Sequence, residues 1–478
     1  MPPPSSPSLQ LSREAMRDFG YRIVDMLVDH FDTLPDKPVT EKSDRSTLEQ
    51  LLREPIPEQG APPEDVLAQV ERDVFSNMMH LDHPRFLALV SSPGNYVSAM
   101  ADALTAGFNP FLGNWMEASG PTGVELVTID WLRQLCGLPE GAGGLFVSGG
   151  SMANLTALAT ARHIRLGDQF HDAVIYASDQ AHSSVSRGLK VLGFKSEQIC
   201  ILTSDEDYRI PVAVVKKQIS QDRKDGKQPF CIIANAGTTN TGAIDPLHEL
   251  ADLCQEENLW LHADGAYGAA TVITEEGRAL LAGLDRVDSM ALDPHKWLFQ
   301  PYEIGCVLVR NRRHLRETFH VSPEYLQDVK GEQEEVNLCD YGIQLTRSFR
   351  ALKLWMSLKV FGLAAFRQGV THGLNLARIA EGKLKKMSGW EIITPAQMGI
   401  VTFRYVPKNL SPGATDTFNR TLVVPILADG FALVVSTIIK NRTVLRFCTI
   451  NPRTTEEDIG QVIEKLDQYA QEQTPNRK

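Results

Sequence analysis

The chain opens with a helical pattern. Met16, Phe19, Ile23, Met26, Leu27 and His30 recur at three-four spacing and lay one apolar stripe along residues 12 to about 34. Residues 35–63 break the pattern with six prolines and many charges, which predicts an extended, wrapping connection. A terminal helix on such a tether needs a surface to pack on, either its own domain or a partner subunit. From about residue 85 the pattern changes to short apolar runs, at 145–147, 174–176, 231–234, 260–263, 289–292 and 306–309. Helical patterns alternate with several of them. Leu247–Glu257 lies between two such runs and completes a unit of the length a strand–helix–strand crossover needs. A mostly parallel sheet covered on both faces follows, and such sheets bind ligands beyond the carboxyl ends of their strands.

After about residue 350 a long helical pattern begins with Leu352, Trp355, Met356, Leu358 and Phe361. Strand-like runs at 401–405, 432–436 and 444–449 come next, and then Thr455 and Asp458 form a capping-box-like start to a last helix. The fold class is therefore α/β, with a smaller α+β unit at the end. The expected divisions are an N-terminal helical arm over 1–84, a large domain over 85–350 and a small C-terminal domain over 351–478.

Composition narrows the function. Apolar residues make up 43% and charged residues 22% of the 478, which excludes a chain disordered throughout. The net charge of −11 and the lack of a Lys/Arg cluster with aromatics argue against a nucleic-acid or anionic-membrane partner. Seven scattered cysteines without a CxxC pair indicate neither a disulfide framework nor a zinc site, so no metal is expected. The first ten residues have no basic or apolar leader, so the expected compartment is the reducing cytoplasm. Residues 141–161 run without a charge, a length that would span a membrane, but five glycines make this a poor membrane helix.

That uncharged run carries the first candidate chemistry. A short strand leads into Ser148-Gly149-Gly150-Ser151, and a helix starts at Met152. Such a turn leaves free N–H groups at the positive end of a helix, an anion site, although a plain tight turn reads the same way. Asp264 stands at the end of another strand, within His262-Ala263-Asp264-Gly265-Ala266-Tyr267. It is either a loop cap or the partner of a cationic ring nitrogen. Lys296, within Asp293-Pro294-His295-Lys296-Trp297, follows a further strand and can reach the same crevice. A phosphate cup, a carboxylate and a lysine together fit one ligand, pyridoxal 5′-phosphate. His182 and Thr239 also follow strands, where one can stack on the ring and the other can bond its phenolic oxygen.

Five segments carry a wider likeness: residues 147–157 (VSGGSMANLTA), 178–184 (SDQAHSS), 236–245 (AGTTNTGAID), 261–268 (LHADGAYG) and 293–298 (DPHKWL). In order and spacing the chain resembles the group II pyridoxal-phosphate-dependent amino-acid decarboxylases from about residue 12 to 470. The resemblance implies fold type I and a homodimer with shared active sites. Position by position, Lys296 resembles the Schiff-base lysine, His295 a phosphate contact, and Gly150 and Ser151 the phosphate cup. Asp264 resembles the ring-nitrogen partner, Ala266 a ring-packing residue, His182 the stacking histidine and Thr239 the hydroxyl contact. Ser322-Pro323-Glu324-Tyr325-Leu326 resembles the start of the family's mobile loop, and Tyr325 there implies a proton donor to Cα. Relatives that make aldehydes tend to carry phenylalanine at that place or asparagine at the histidine, so Tyr325 and His182 favour simple decarboxylation.

The resemblance places Leu81, Leu89, Val90 and, from the partner subunit, Phe111 around the substrate. That set is apolar and offers no arginine for a second carboxylate, so the expected substrate is aromatic (Phe, Tyr or Trp). Aliphatic Leu, Val or Met, and an aldehyde synthase or aminotransferase on the same scaffold, are the alternatives. A non-catalytic interaction protein is the third.

Overall fold

The computed structural model describes residues 9–321 and 335–474. Seven strands form the main sheet: β1 (Gly143–Val147), β2 (Ala173–Ser178), β3 (Ile199–Leu202), β4 (Gln228–Asn235), β5 (Trp260–Asp264), β6 (Ser289–Leu292) and β7 (Gly305–Val309). Their order is β1-β7-β6-β5-β4-β2-β3. β7 runs antiparallel to both neighbours, and the other pairings are parallel. All strands but β7 therefore point their carboxyl ends the same way.

Alternation along each strand divides the side chains between two cores. Leu145, Ile175, Cys231, Ile233, Val307 and Val309 enter one. Phe146, Tyr176, Ile232, Ala234, Cys306 and Leu308 enter the other. Burial on both faces is why these strands read as continuous apolar runs. On the first face lie the helices Gly150–Leu166 and Ser183–Val191, through Ala153, Ala157, Ala161, Val185 and Leu189. On the second lie Trp115–Leu135 and Leu247–Glu257, through Ile129, Leu132, Leu250 and Leu253. The open edge of β1 is closed by side chains. Buried Glu125 accepts the Phe146 N–H at 3.0 Å and pairs with Arg347, which donates to the Phe146 carbonyl at 2.9 Å.

A second, antiparallel sheet contains β8 (Trp390–Gln397), β9 (Ile400–Tyr405), β10 (Val435–Ile439) and β11 (Arg442–Cys448), in the order β10-β11-β9-β8. Its core is shared with helices Pro412–Ala428 and Glu456–Gln473, through Phe418, Leu422, Ile459 and Leu466. The long helix Ala351–Leu384 joins the two sheets. Leu354 and Phe366 pack in the main-sheet core, while Leu376, Ala380 and Leu384 pack under the small sheet. It breaks once, at Gly362, where φ is 73° and ψ 154°.

The N-terminal helix forms as its stripe predicts, over Arg13–Thr33, with Ser12 accepting the Ala15 N–H. None of its residues is buried. His30 Nε2 sits 3.5 Å from Asp82 Oδ2, and the Arg453 guanidinium lies over the Phe31 ring, so part of the stripe rests on its own chain.

Three expectations change. The connection over 35–63 is not extended throughout: Asp44 caps a helix over Arg45–Leu52 by accepting the Thr47 N–H at 3.0 Å. The strand expected at 432–436 is β10, three residues later, because the turn at Lys440 and Asn441, both with positive φ, sets Ile439 opposite Arg442. β3 and β8 were not foreseen. β3 is a four-residue edge, and β8 contains Pro395, tolerated because β8 is also an edge. No helix among the described residues is long and apolar enough to cross a membrane.

Candidate active site

The carboxyl ends of β1, β2, β4, β5 and β6 open on one cavity of about 700 Å³. Gly150, Ser151, His182, Thr239, Asp264, Ala266, His295 and Lys296 all line it. Eight positions predicted from separate segments therefore meet at one place.

The cup is built by close approach. Gly149 precedes the helix Gly150–Leu166, and no side chain caps that helix. A Cβ on Gly150 would lie 2.8 Å from both Ala266 Cβ and Asp293 Oδ2. A side chain is therefore excluded there by the neighbouring loops. The result is a helix terminus open to the cavity, suited to a phosphate dianion. His295 stands beside it: a Cβ on Gly149 would come within 3.2 Å of His295 Cε1. Burial pulls His295 below its ordinary value against the opposing charge of Asp293, and its Nδ1 lies 2.8 Å from the Ile304 carbonyl oxygen.

Lys296 Nζ lies 3.1 Å from Asp293 Oδ2. Burial pulls this ammonium down, but Asp293, and then Asp264, outweigh it and hold Lys296 above its ordinary value. Asp293 Oδ1 is buried with no hydrogen-bond partner among the described residues, so one carboxylate oxygen can take a further donor. Asp264 ends β5 and is buried. Its Oδ2 accepts from Asn154 Nδ2 at 3.0 Å and its Oδ1 from the Ala266 N–H at 3.2 Å. His182 caps the helix Ser183–Val191, with Nδ1 accepting the Ser184 N–H at 3.2 Å, and its ring is exposed to the cavity.

The loop after β4 carries Thr239. It is anchored by buried Asp245, whose oxygens accept N–H groups of Asn235 (2.6 Å) and Ile210 (2.7 Å). Burial raises Asp245 to about 6 against those hydrogen bonds. Tyr302 tilts over His295, ring centroids 4.8 Å apart, and closes one side.

The four residues expected around the substrate do not line this cavity in the single chain. Leu81 packs with Phe86 and Leu433, and Val90 packs on the main core. Leu89 is exposed at positive φ, and Phe111 covers Gly113. Tyr325 lies outside the described residues. Asn154, Asp293, Ser184 and Asp245 were not singled out as functional. All four lie within the quoted segments, and Asn154 is one helical turn past Gly150, on the same face. That spacing was the available signal.

These residues fit pyridoxal phosphate: an uncapped helix terminus beside a glycine that admits no side chain, a buried carboxylate, and a lysine amine in the same cavity. The model of the pyridoxal-dependent decarboxylase conserved domain matches residues 46–406. The chain belongs to this family. An aromatic-L-amino-acid decarboxylase of Bacillus atrophaeus is 52% identical over 98% of both chains. A phenylacetaldehyde synthase of Arabidopsis thaliana is 28% identical, covering 94% of each. The crystal structure of Oryza sativa TDC with PLP and tryptamine superposes with a TM-score of 0.93 at 26% identity, over 98% of this chain and all of that one. The chain is thus a pyridoxal-phosphate-dependent amino-acid decarboxylase of the α/β fold that the family shares.

Proposed function

We propose that this decarboxylase acts on aromatic L-amino acids and releases the corresponding amine and carbon dioxide. The observation that carries the reading is the convergence of Lys296, Asp264, His182 and the Gly149–Ser151 cup on one cavity. The 52% identity to an aromatic-L-amino-acid decarboxylase supports the aromatic preference.

Bound pyridoxal phosphate supplies the electron sink for the pair left when the carboxylate departs. The chain's own residues prepare for that event. N–H groups at the start of the Gly150–Leu166 helix, with Ser151 Oγ, would hold the phosphate. The Asp264 carboxylate would hold a proton on the ring nitrogen, His182 and Ala266 would pack against the ring, and Thr239 would bond the phenolic oxygen. Lys296 Nζ would have to give up its proton before bonding to the cofactor, and the charge of Asp293, with Oδ2 3.1 Å away, opposes that loss. Tyr325, from its likeness to the family's loop tyrosine, would be the residue that supplies a proton to Cα.

The assembly is a homodimer in this reading. Leu104, Phe108 and Met116 are exposed at 45%, 84% and 68% in the single chain, apolar surface that a second copy would cover. Leu81, Leu89 and Val90, with Phe111 of the partner subunit, then form the substrate side. The arm, large domain and small domain divide at about residues 84 and 350.

The test is a screen of the twenty amino acids for carbon dioxide release with added pyridoxal phosphate. Phe, Tyr or Trp should exceed Leu, Val and Met at least tenfold in kcat/KM; a faster aliphatic substrate overturns the assignment. The relative that makes phenylacetaldehyde keeps a second reading in view. Amine should dominate in the unaltered enzyme, whereas Tyr325→Phe should suppress amine and raise aldehyde with hydrogen peroxide. Unchanged amine output in that variant removes Tyr325 as the proton donor.

A further inference from the structure

Asn154 is wholly buried on the helix behind the phosphate cup, and every polar atom of its side chain is engaged. Nδ2 donates to Asp264 Oδ2 at 3.0 Å and to Ser184 Oγ at 3.1 Å. Oδ1 meets His262 Nε2 at 2.9 Å. Hydrogen-bond chemistry fixes the direction of each contact. A carboxylate only accepts, so the NH₂ end of the amide must face Asp264. The oxygen then faces His262, which must carry its proton on Nε2. Burial pushes His262 down to about 4, so it is neutral near pH 7 and its Nδ1 is an acceptor. That nitrogen sits 2.9 Å from Ser289 Oγ, which must donate to it. Ser289 Oγ in turn accepts from the Trp260 indole N–H, a group that only donates, at 2.8 Å. The run Trp260, Ser289, His262, Asn154, Asp264 therefore has one polarity, and every donor points toward the carboxylate.

A second branch leaves the same amide nitrogen. Ser184 Oγ accepts from Asn154 and lies 2.9 Å from His182 Nδ1. That ring nitrogen also accepts the Ser184 N–H, so it carries no proton, and the ring's N–H is at Nε2. One amide thus joins the carboxylate under the cavity to the histidine on its wall.

We propose that Asn154 is a positioning residue that sets the orientation of the Asp264 carboxylate and the protonated nitrogen of His182 together. This rests on the reading that Asp264 faces the ring nitrogen of the cofactor and His182 its face. The amide supplies what neither neighbour can: two N–H groups on one atom, aimed at one acceptor at the end of β5 and one on the helix Ser183–Val191, and an oxygen that terminates the His262 dipole. Leucine has nearly the same shape and none of these bonds.

The test uses the holoenzyme. Asn154→Leu should weaken pyridoxal phosphate about tenfold, as expected for hydrogen bonds to a charged group, and should change the absorbance spectrum of the bound cofactor. It should lower kcat at least tenfold with KM within about twofold. Ser184→Ala cuts only the His182 branch, so it should lower kcat and leave cofactor affinity and absorbance as they were. Asn154→Ala serves where the leucine variant does not fold. A merely structural role would lower the melting temperature without altering the spectrum of the folded fraction, and that result overturns the proposal. Asp264→Asn separates the two levels. If it changes affinity and spectrum while both Asn154 variants match the unaltered enzyme, the Asn154 assignment fails alone. If Asp264→Asn itself changes neither, the placement of Asp264 at the ring nitrogen fails, and this inference with it.

Discussion

Gly150 shows how a single hydrogen atom decides between two opposed effects. Within an open helix, glycine to alanine stabilises by about 1 kcal/mol. At this position the added Cβ would meet Ala266 Cβ and Asp293 Oδ2 at 2.8 Å each. Overpacking of that kind costs about 1–3 kcal/mol and falls on the loops that carry the lysine and the ring carboxylate. Gly150→Ala should therefore weaken pyridoxal phosphate at least tenfold, read by fluorescence titration; tighter binding would mean that helix propensity wins. Asp293 poses an electrostatic version of the same question. Its charge holds Lys296 above the ordinary lysine value despite burial. Asp293→Asn should lower the lysine's pKa and speed its reaction with free pyridoxal phosphate at neutral pH, followed by stopped-flow absorbance. Lys296, Asp264 and the cup were legible because each follows an apolar run with small residues around it. Asn154 was not, because its partners Asp264 and His262 come from β5 and Ser184 from the helix Ser183–Val191, and only the folded sheet brings them within 3.1 Å.

Among the elements, the segment around residues 83–87 fastens the body to the small sheet. The Leu87 N–H bonds to the Leu433 carbonyl, and the Cys448 N–H bonds to the Leu87 carbonyl. His83 anchors its start, with Nδ1 accepting the Arg85 N–H at 2.9 Å and Nε2 donating to the Lys37 carbonyl at 3.0 Å. The first contact requires an unprotonated Nδ1, while the second can be made by either form, and burial lowers His83 to about 4 against it. Its folded pKa is thus below the unfolded value near 6.5. The stability it contributes is present above pH 6.5 and is lost as the pH falls toward 4. Between pH 7 and pH 5 the loss is about 2 kcal/mol on a shift of this size. Asp245 works in the opposite sense. Its pKa is raised to about 6, so its contribution is present below the unfolded carboxylate value and is lost as the pH rises through 6. Urea unfolding of the holoenzyme at both pH values, compared with His83→Gln, isolates the histidine: the variant should show the smaller loss on acidification. Equal losses would mean that His83 does not titrate across this range. The strands buried on both faces were readable from sequence as apolar runs. The edges β3 and β8 were not, since an edge need not be uniformly apolar and can hold a proline.

The whole molecule has a mostly parallel α/β sheet and a small antiparallel sheet, as the alternation of runs along the chain implies. What the pattern could not convey is where the N-terminal helix rests. Its stripe is only partly covered by its own chain: none of it is buried, and Met16 is 48% exposed. If a second copy covers the remainder, deleting residues 1–33 should convert a dimer into a monomer in analytical ultracentrifugation and reduce decarboxylation at least tenfold. A deletion variant that stays dimeric and active would assign the interface to other surfaces.

The two sheets are spanned by one 34-residue helix, and that helix changes course at a single position. At φ 73° and ψ 154°, Gly362 occupies backbone space that essentially only glycine enters. Among the described residues, no atom beyond the adjoining helix backbone lies within 4 Å of where its Cβ would stand, so crowding plays no part. Any side chain there would leave every contact of both cores intact and still be refused, because the backbone itself would have to turn elsewhere. The course of that helix across the main-sheet core, from Leu354 before the break to Phe366 after it, is thus written in the chirality of one residue, as the lack of it.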